Sequence, residues 1–190
     1  MSYVRLRAEL LAAREARDAL LATLLDEVTT PLVMMSSAIP GPDKAPSGST
    51  ALFTWGLRQL QDRLDCRRLL AHGEDALGPY GFIAAAAEPR RLKTLALMIE
   101  AALPAARLLD LDVYAADGSR IGRAELGEPA RRCLLCAEPA VDCIRLNRHP
   151  MEHLRNHVGY LLASFTASVI EPLTDTTTGG AAGHRPAAGA

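Results

Sequence analysis

Two aspartates, set two positions apart, interrupt a short apolar run over residues 106–113. A β-strand projects alternate side chains to one face, so Asp110 and Asp112 would point the same way while the neighbouring leucines and valine pack beneath them. Aspartate is depleted in strand interiors, so a pair at this place calls for a reason. Two carboxylates on one rigid edge repel each other unless a cation lies between them, and oxygen ligands of this kind suit Mg²⁺ together with a substrate's phosphates. The pattern predicts a metal-dependent site for phosphoryl or nucleotidyl transfer, although a solvated strand end or a turn cap has the same spacing.

The composition is that of a single globular domain. The chain has 190 residues, of which 49% are hydrophobic and 23% charged, and its formal net charge is −1. That charge argues against bulk electrostatic capture of nucleic acid or of an anionic membrane. No apolar run approaches the roughly 20 residues that span a bilayer, and charged residues break up any signal-peptide core near the N-terminus. We expect a cytoplasmic protein with one domain over residues 1–173 and a disordered tail over residues 174–190, where there is little to bury.

Hydrophobic periodicity predicts the order of helices and strands. The helices are expected over residues 3–28, around the stripe from Phe53 to Leu64, over 90–102 and near 150–170; the strands are expected over 32–39, near 66–71, and over 82–87, 108–114 and 120–126. A hairpin at Asp117-Gly118 would join the last two strands. Between the two terminal helices, the predicted order is strand-helix-strand-strand-helix-strand-strand. This order indicates an α+β domain with a mixed or antiparallel sheet. A split βαββαβ core and a nucleotidyltransferase-like sheet both accommodate this order.

Three cysteines and a histidine form the pattern C-x2-C-x6-C-x5-H at Cys133, Cys136, Cys143 and His149. The first pair has the spacing of a zinc site. Two leucines, however, fill the gap where zinc loops usually need turn residues, and buried free cysteines often serve as small hydrophobes. We therefore favour a structural thiol cluster, with bound zinc as the alternative. Cys66 stands outside this pattern and is expected in the core. Without a secretory signal, the four cysteines are expected to be reduced thiols or metal ligands, not a disulfide framework.

The aspartate run and the segment after it carry a family resemblance. Arg107-Leu108-Leu109-Asp110-Leu111-Asp112-Val113 is followed by Pro129-Ala130-Arg131-Arg132-Cys133-Leu134-Leu135-Cys136, then by Cys143-Ile144-Arg145 and His149. Further matches lie at Arg14-Glu15-Ala16-Arg17, at the loop Pro40-Gly41-Pro42-Asp43-Lys44, and at Leu92-Lys93 followed by Glu100. Over roughly residues 10–165, this ordered combination resembles the apo-citrate lyase phosphoribosyl-dephospho-CoA transferase family, also called citrate lyase holo-acyl-carrier-protein synthase. Leu21, Leu103 and Ala106 stand where that family usually has Gln, His and Gly.

The resemblance implies a nucleotidyl transfer. The 2′-(5″-phosphoribosyl)-3′-dephospho-CoA prosthetic group would pass from its precursor, 2′-(5″-triphosphoribosyl)-3′-dephospho-CoA, to a serine of the citrate lyase acyl carrier subunit, and pyrophosphate would leave. In that chemistry Asp110 and Asp112 would hold Mg²⁺ against the triphosphate, and Glu100 would be a third carboxylate or the base for the serine. The basic side chains expected to bind the substrate are first Arg107, Arg131 and Arg132, and then Lys44, Lys93, Arg14, Arg17 and Arg145.

Two other functions stay open at this point. The related transferase that modifies the carrier protein of malonate decarboxylase with the same group would need the same aspartates. A non-catalytic zinc-binding interaction module would instead hold about one equivalent of zinc and would not depend on Asp110.

Overall fold

The computed structural model describes residues 3–64 and 67–170. Its helices are α1 (Tyr3–Glu27), α2 (Ser49–Arg63), α3 (Pro89–Ala101), α4 (Ala140–Arg145) and α5 (Met151–Ile170). Its strands are β1 (Leu32–Ser37), β2 (Arg67–Asp75), β3 (Gly78–Ala85), β4 (Leu109–Tyr114) and β5 (Arg120–Ile121). The tail predicted over residues 174–190 and the position predicted for Cys66 lie outside the described residues. No helix of the described part is both long and apolar enough to cross a bilayer.

The strands form one antiparallel sheet in the order β2-β3-β1-β4-β5. Without the terminal helices and β5, the chain runs β1-α2-β2-β3-α3-β4, and these four strands lie side by side as β4-β1-β3-β2. This is the split βαββαβ arrangement, one of the two architectures predicted from the sequence. The α+β prediction is therefore confirmed, and the sheet is antiparallel throughout.

Both faces of the sheet are covered, because alternate residues of each strand point to opposite sides. On one face Met35, Ile83 and Leu111 belong to the main core, which α2, α3 and α5 complete. On the other face Leu32 and Phe82 form a smaller core with α1. The N-terminal helix thus packs on the side opposite the other long helices.

Strand β4 has the alternation predicted from its sequence. Leu109, Leu111 and Val113 are fully buried in the main core, whereas Asp110 and Asp112 are only partly buried. The two aspartates share the face that α1 covers, since Asp112 lies opposite Met34 and Tyr114 lies opposite Leu32 in the register with β1.

The return strand predicted over residues 120–126 is wrong in its length. Strand β5 has only two residues, paired with Val113 and Tyr114, and a 3₁₀ turn follows over Ala124–Leu126. Helix α4 was not predicted at all, because six residues are too few to show a helical period. The short β5 has a consequence for the site: within the described residues, no strand pairs with the first half of β4 on that side.

Candidate active site

Two side chains of α3 form hydrogen bonds with the backbone of β4 at a position that β5 is too short to pair with. The Nζ of Lys93 donates to the carbonyl oxygen of Leu111 at 2.7 Å, and the amide of Leu111 donates to Oε1 of Glu100 at 3.0 Å. Lys93 and Glu100 are each only 4% exposed. They lie seven residues apart, two helical turns, and so project from the same face of α3. The α3 helix is anchored at its start by Glu88, whose side chain accepts from two first-turn amides.

Glu100 also holds two arginines from the loop region after β5. Its Oε2 lies 2.6 Å from Arg123 and 2.8 Å from Arg131. Arg131 reaches further, to Oδ1 of Asp110 at 3.0 Å and to the carbonyl oxygen of Leu109 at 3.2 Å. One buried carboxylate thus orients two guanidinium groups beside the aspartate strand.

The second aspartate has its own arginine. Arg120 donates to Oδ1 of Asp112 at 2.5 Å, and its side chain is 60% exposed. Because the hairpin register pairs Arg120 with Tyr114, Asp112 is the diagonal neighbour of Arg120 on the same face. This ion pair can therefore open towards solvent more easily than the buried contacts of Glu100.

Burial and like charges control the electrostatics of this cluster. Burial raises the pKa of Asp110, Arg131 opposes that shift, and the carboxylates of Asp112 and Glu100 add to it. Burial lowers the pKa of Lys93 although Glu100 and both aspartates favour its charged form. A cation placed at the aspartates would relieve the repulsion that Asp110 experiences.

Two adjoining cavities open onto the cluster. The smaller has a volume of about 480 Å³ and is lined by Lys93, both aspartates and the three arginines described above. The larger, of about 1020 Å³, is mostly apolar and shares Arg123 and Arg131 with the smaller one. Arg107 and Arg132 line the larger cavity. The combined site offers carboxylates and basic groups at one end and a wide apolar space at the other.

The structure brings most, but not all, of the predicted site residues together. Those at the two cavities are Asp110, Asp112, Glu100, Lys93, Arg107, Arg131 and Arg132. Glu100 is buried and is not a solvated residue on the helix surface. Four basic residues predicted as substrate ligands line neither cavity: Arg14, Arg17, Lys44 and Arg145.

The side chain of Arg17 makes its contacts at the β2–β3 turn, away from both cavities. Its guanidinium makes a two-pronged contact with Asp75, at 2.8 and 2.6 Å, and donates to the carbonyl oxygen of Gly78 at 2.6 Å. It also lies 4.6 Å above the ring centre of Tyr80. These contacts tie α1 to the β2–β3 turn, two strands away from β4. Arg14, one turn earlier, is exposed.

Lys44 and Arg145 have local roles as well. The Nζ of Lys44 donates to the carbonyl oxygen of Ile39 at 2.7 Å and so closes its own loop, and burial lowers its pKa. Arg145 is 72% exposed and lies 3.7 Å from Asp142, one turn before it on α4. Exposed pairs at such distances contribute little.

Two basic residues of the site, Arg120 and Arg123, were missed from the sequence. A signal for Arg120 was available, because a hairpin at Asp117-Gly118 makes it a cross-strand neighbour of the aspartate strand. Arg123 had none, since its partner Glu100 lies 23 residues earlier on a different element.

The cysteine-histidine pattern also comes together. One ligand atom from each of Cys133, Cys136, Cys143 and His149 lies within 4.8 Å of the others, so the group could hold a metal ion. Over residues 3–64 and 67–170 it is the one such set of three or more Cys, His, Asp or Glu side chains. Cys133, Cys143 and His149 line the larger cavity, next to the charged cluster.

The three positions that differ from the resembled family lie in apolar surroundings. Leu21 packs in the smaller core and Ala106 is fully buried before β4. Leu103 contacts the main core and lines the larger cavity. Leucine at 103 therefore adds to the apolar wall of that cavity.

Fold and site together define an α+β domain of the split βαββαβ type, with carboxylates and basic side chains clustered at one sheet edge. Residues 6–165 match the sequence model of the apo-citrate lyase phosphoribosyl-dephospho-CoA transferase family. A protein of that name from Citrobacter koseri is 33% identical over 166 residues, which cover 85% of this chain and 91% of the relative. Proteins of the same name from Escherichia coli O1:K1 and Shigella boydii serotype 18 are each 32% identical over 158 residues, 81% of this chain and 86% of each relative. The chain belongs to the apo-citrate lyase phosphoribosyl-dephospho-CoA transferase family.

Proposed function

We propose that this protein transfers the phosphoribosyl-dephospho-CoA group from its triphosphate precursor to a serine of the citrate lyase acyl carrier subunit. Family membership over residues 6–165 is the observation that carries the proposal. The site is consistent with it, because Asp110 and Asp112 share a cavity with four basic side chains. Transfer of a phosphoryl-linked group depends mainly on positioning and on neutralising charge, and this cluster has the side chains for both.

The two cavities suggest how the precursor binds. Its triphosphate would lie in the smaller cavity, where Arg120 and Arg131 can exchange their carboxylate partners for phosphate oxygens. Arg107 and Arg132, on the wall of the larger cavity, would contact the remaining phosphates. The apolar part of the dephospho-CoA moiety suits the larger cavity, whose volume of about 1020 Å³ is sufficient for an extended cofactor.

The aspartates fit a magnesium site by the chemistry of their donor atoms. Both offer only carboxylate oxygens, from one face of one strand, in a cavity that also holds phosphate-binding groups. Asp110 and Asp112 would hold the ion, which would supply charge neutralisation for the triphosphate. Burial raises the pKa of Asp110, and the neighbouring carboxylates of Asp112 and Glu100 raise it further; a bound cation would relieve that repulsion between carboxylates.

In the proposed reaction, the serine oxygen of the carrier forms a bond to the phosphorus next to the ribose. The bond from that phosphorus to pyrophosphate breaks, and the serine hydroxyl proton is released. Glu100 would act as a positioning residue here, because both of its oxygens are occupied by Leu111, Arg123 and Arg131. Arg131, held by Glu100, would stabilise the charge that develops on the departing pyrophosphate.

Intact-mass measurement of the carrier tests this proposal. The protein is incubated with Mg²⁺, the triphosphate precursor and the apo-carrier of citrate lyase, or with the apo-carrier of malonate decarboxylase in parallel. We expect the citrate lyase carrier to gain the group, and Asp110→Asn or Asp112→Asn to abolish the gain. Asp142→Asn, at a half-exposed aspartate outside both cavities, is the matched control and should label normally. Exclusive labelling of the decarboxylase carrier would overturn the assigned substrate, and normal labelling by both site variants would overturn the assigned residues.

A further inference from the structure

We propose that Cys133, Cys136, Cys143 and His149 bind one zinc ion in a closed structural site, which holds the Arg131-Arg132 segment against the active site. The zinc site is independent of the proposed transfer reaction, since it rests only on the geometry of these four side chains. It reverses the preference for a plain thiol cluster that the sequence alone suggested.

The distances between ligand atoms match those around a tetrahedral zinc ion. Zinc–sulfur bonds of about 2.3 Å and zinc–nitrogen bonds of about 2.0–2.1 Å place two sulfurs about 3.8 Å apart and a sulfur and a nitrogen about 3.5 Å apart. The Sγ atoms of Cys136 and Cys143 are 3.5 Å apart, and Sγ of Cys136 is 3.3 Å from Nε2 of His149. A disulfide would need about 2.05 Å between the sulfurs. These two distances are within about 0.3 Å of those around a tetrahedral zinc ion, and all four ligand atoms lie within 4.8 Å of one another.

Three separate pieces of chain supply the ligands. Cys133 and Cys136 lie in a hairpin-like loop, which is closed by hydrogen bonds from Cys133 to Glu138 and from Ala140 to Arg131. Cys143 lies on α4, and His149 lies in the link between α4 and α5. Four protein ligands leave no position for substrate, so the site is structural rather than catalytic.

Helix α4 has little apolar packing to hold it in place. Val141, Ile144 and Leu146, the large apolar residues of α4 and its C-terminal cap, are 53%, 78% and 63% exposed. Cys143, by contrast, is buried. A short segment that buries its thiol and exposes its aliphatic side chains is typical of a metal-stabilised loop, where metal ligation substitutes for a hydrophobic core.

The two leucines between Cys133 and Cys136 do not oppose this arrangement. The amide of Leu135 points at Sγ of Cys133 at 3.5 Å, a contact that favours a thiolate. Leu134 packs against the main core of the domain. The leucines thus attach the loop to the domain while its backbone turns around the sulfur.

The site connects directly to the charged cluster. Arg107 donates to the carbonyl oxygens of Arg132 at 3.1 Å and of Cys133 at 2.8 Å. Arg131, two residues before Cys133, reaches Asp110 and Glu100. A zinc ion on Cys133 would therefore fix the backbone from which the side chains of Arg131 and Arg132 extend.

The test is metal content of the reduced full-length protein, measured by elemental analysis after expression with zinc. We expect about one zinc per chain. Cys136→Ser and His149→Asn should lose it, whereas His153→Asn, an exposed histidine four residues further along, should keep it. Cobalt substitution gives a second readout, because a tetrahedral cobalt–thiolate centre has intense visible absorption that His153→Asn should retain and His149→Asn should lose.

A chelation experiment covers the case in which the variants fail to fold. Removal of zinc from the wild-type protein should lower its melting temperature and raise the KM for the triphosphate precursor roughly tenfold, and added zinc should restore both. Zinc well below one equivalent, no cobalt–thiolate absorption, or a Cys136–Cys143 disulfide in protein isolated under reducing conditions would each overturn the proposal. Zinc bound by a protein that labels neither carrier would leave the zinc site intact and refute only the proposed function.

Discussion

Oε1 of Glu100 accepts the backbone amide of Leu111 at 3.0 Å, so a buried carboxylate occupies the place of a missing strand neighbour. Strand β5 is too short to reach that part of β4, and α3 supplies Glu100 and Lys93 instead. The exposed sheet edge that most proteins cover is here completed by charged side chains. Those same side chains organise the arginines beside the aspartates, so the stability of the edge and the geometry of the site depend on one another.

Replacement of Glu100 should be strongly destabilising. Glu100→Ala leaves the Leu111 amide, Arg123 and Arg131 without their shared acceptor, and we expect a loss of about 3–5 kcal/mol in the free energy of unfolding. Glu100→Gln keeps a carbonyl oxygen for Leu111 and should lose less. Urea denaturation measures both, with Asp142→Asn as a control that should change stability by less than about 0.5 kcal/mol. A Glu100→Ala protein as stable as the control would contradict the assigned role of this carboxylate.

Asp110 should cost the folded protein stability at neutral pH. Burial raises its pKa above the usual 3.8, so the folded state binds this proton more tightly than the unfolded chain does. Between pH 3.8 and the raised pKa, stability therefore falls as pH rises, and above that range the charged carboxylate remains unfavourable. Without magnesium, we expect Asp110→Asn to unfold at a higher urea concentration than the wild type at pH 7, and this advantage to disappear below about pH 4. A wild type more stable than the variant across the whole range would refute the effect.

Bound magnesium should make the wild type more stable than Asp110→Asn, the reverse of the order expected without the ion. An ion that binds only the folded state stabilises it by RT ln(1 + [L]/Kd), about 2.7 kcal/mol at a hundredfold excess over Kd. We expect a rising wild-type melting temperature as Mg²⁺ is added, and little response from Asp110→Asn or Asp112→Asn. Calcium and sodium chloride at matched ionic strength separate specific binding from screening. Equal responses from all three proteins would remove the aspartates from the metal site.

Arg132 offers a test of substrate binding with little effect on folding, because its side chain is exposed and lines the larger cavity. Arg132→Ala removes a charge-assisted contact of about 1.5–3 kcal/mol, so the KM for the triphosphate precursor should rise roughly 10- to 150-fold. The free energy of unfolding should change by no more than about 0.5 kcal/mol. Arg145→Ala, an exposed arginine outside both cavities, is the matched control and should leave KM unchanged. Similar KM values for the two variants would exclude Arg132 from the site.

Arg17 should matter for stability and not for the substrate. Arg17→Ala leaves Asp75 without its two-pronged partner and the carbonyl of Gly78 without a donor, at a cost of about 3–5 kcal/mol. Arg14→Ala, one turn away and exposed, should be close to neutral. Urea denaturation and steady-state kinetics at a temperature where both variants are folded would separate the two effects. A raised KM in a folded Arg17→Ala protein would return this residue to the substrate site.

Much of the fold was predictable because it depends on the periodicity of hydrophobic residues over short stretches of sequence. The alternation of Asp110 and Asp112 with buried leucines and the order of the long helices follow from patterns within about 20 residues. The split βαββαβ core was one of two architectures that this order left open, and the pairing of the strands decided between them. The length of β5 and the presence of α4 were not predictable, because segments of two and six residues contain too little of any period. The strand alternation identified the aspartates as site candidates, the family resemblance added Glu100, Lys93 and Arg131, and all of these do meet at the cavities.

The sequence alone determined that two aspartates would share one strand face, because side chains alternate along any β-strand. Only the tertiary structure decided which basic residues join them, since ion pairs form between elements distant along the chain: Arg123 lies 23 residues from Glu100, and Arg17 lies 58 from Asp75. The same reason applies to the cysteines. Their spacing permitted either zinc or simple packing, and only the convergence of a hairpin, a short helix and a linker set their sulfurs at metal-binding distances.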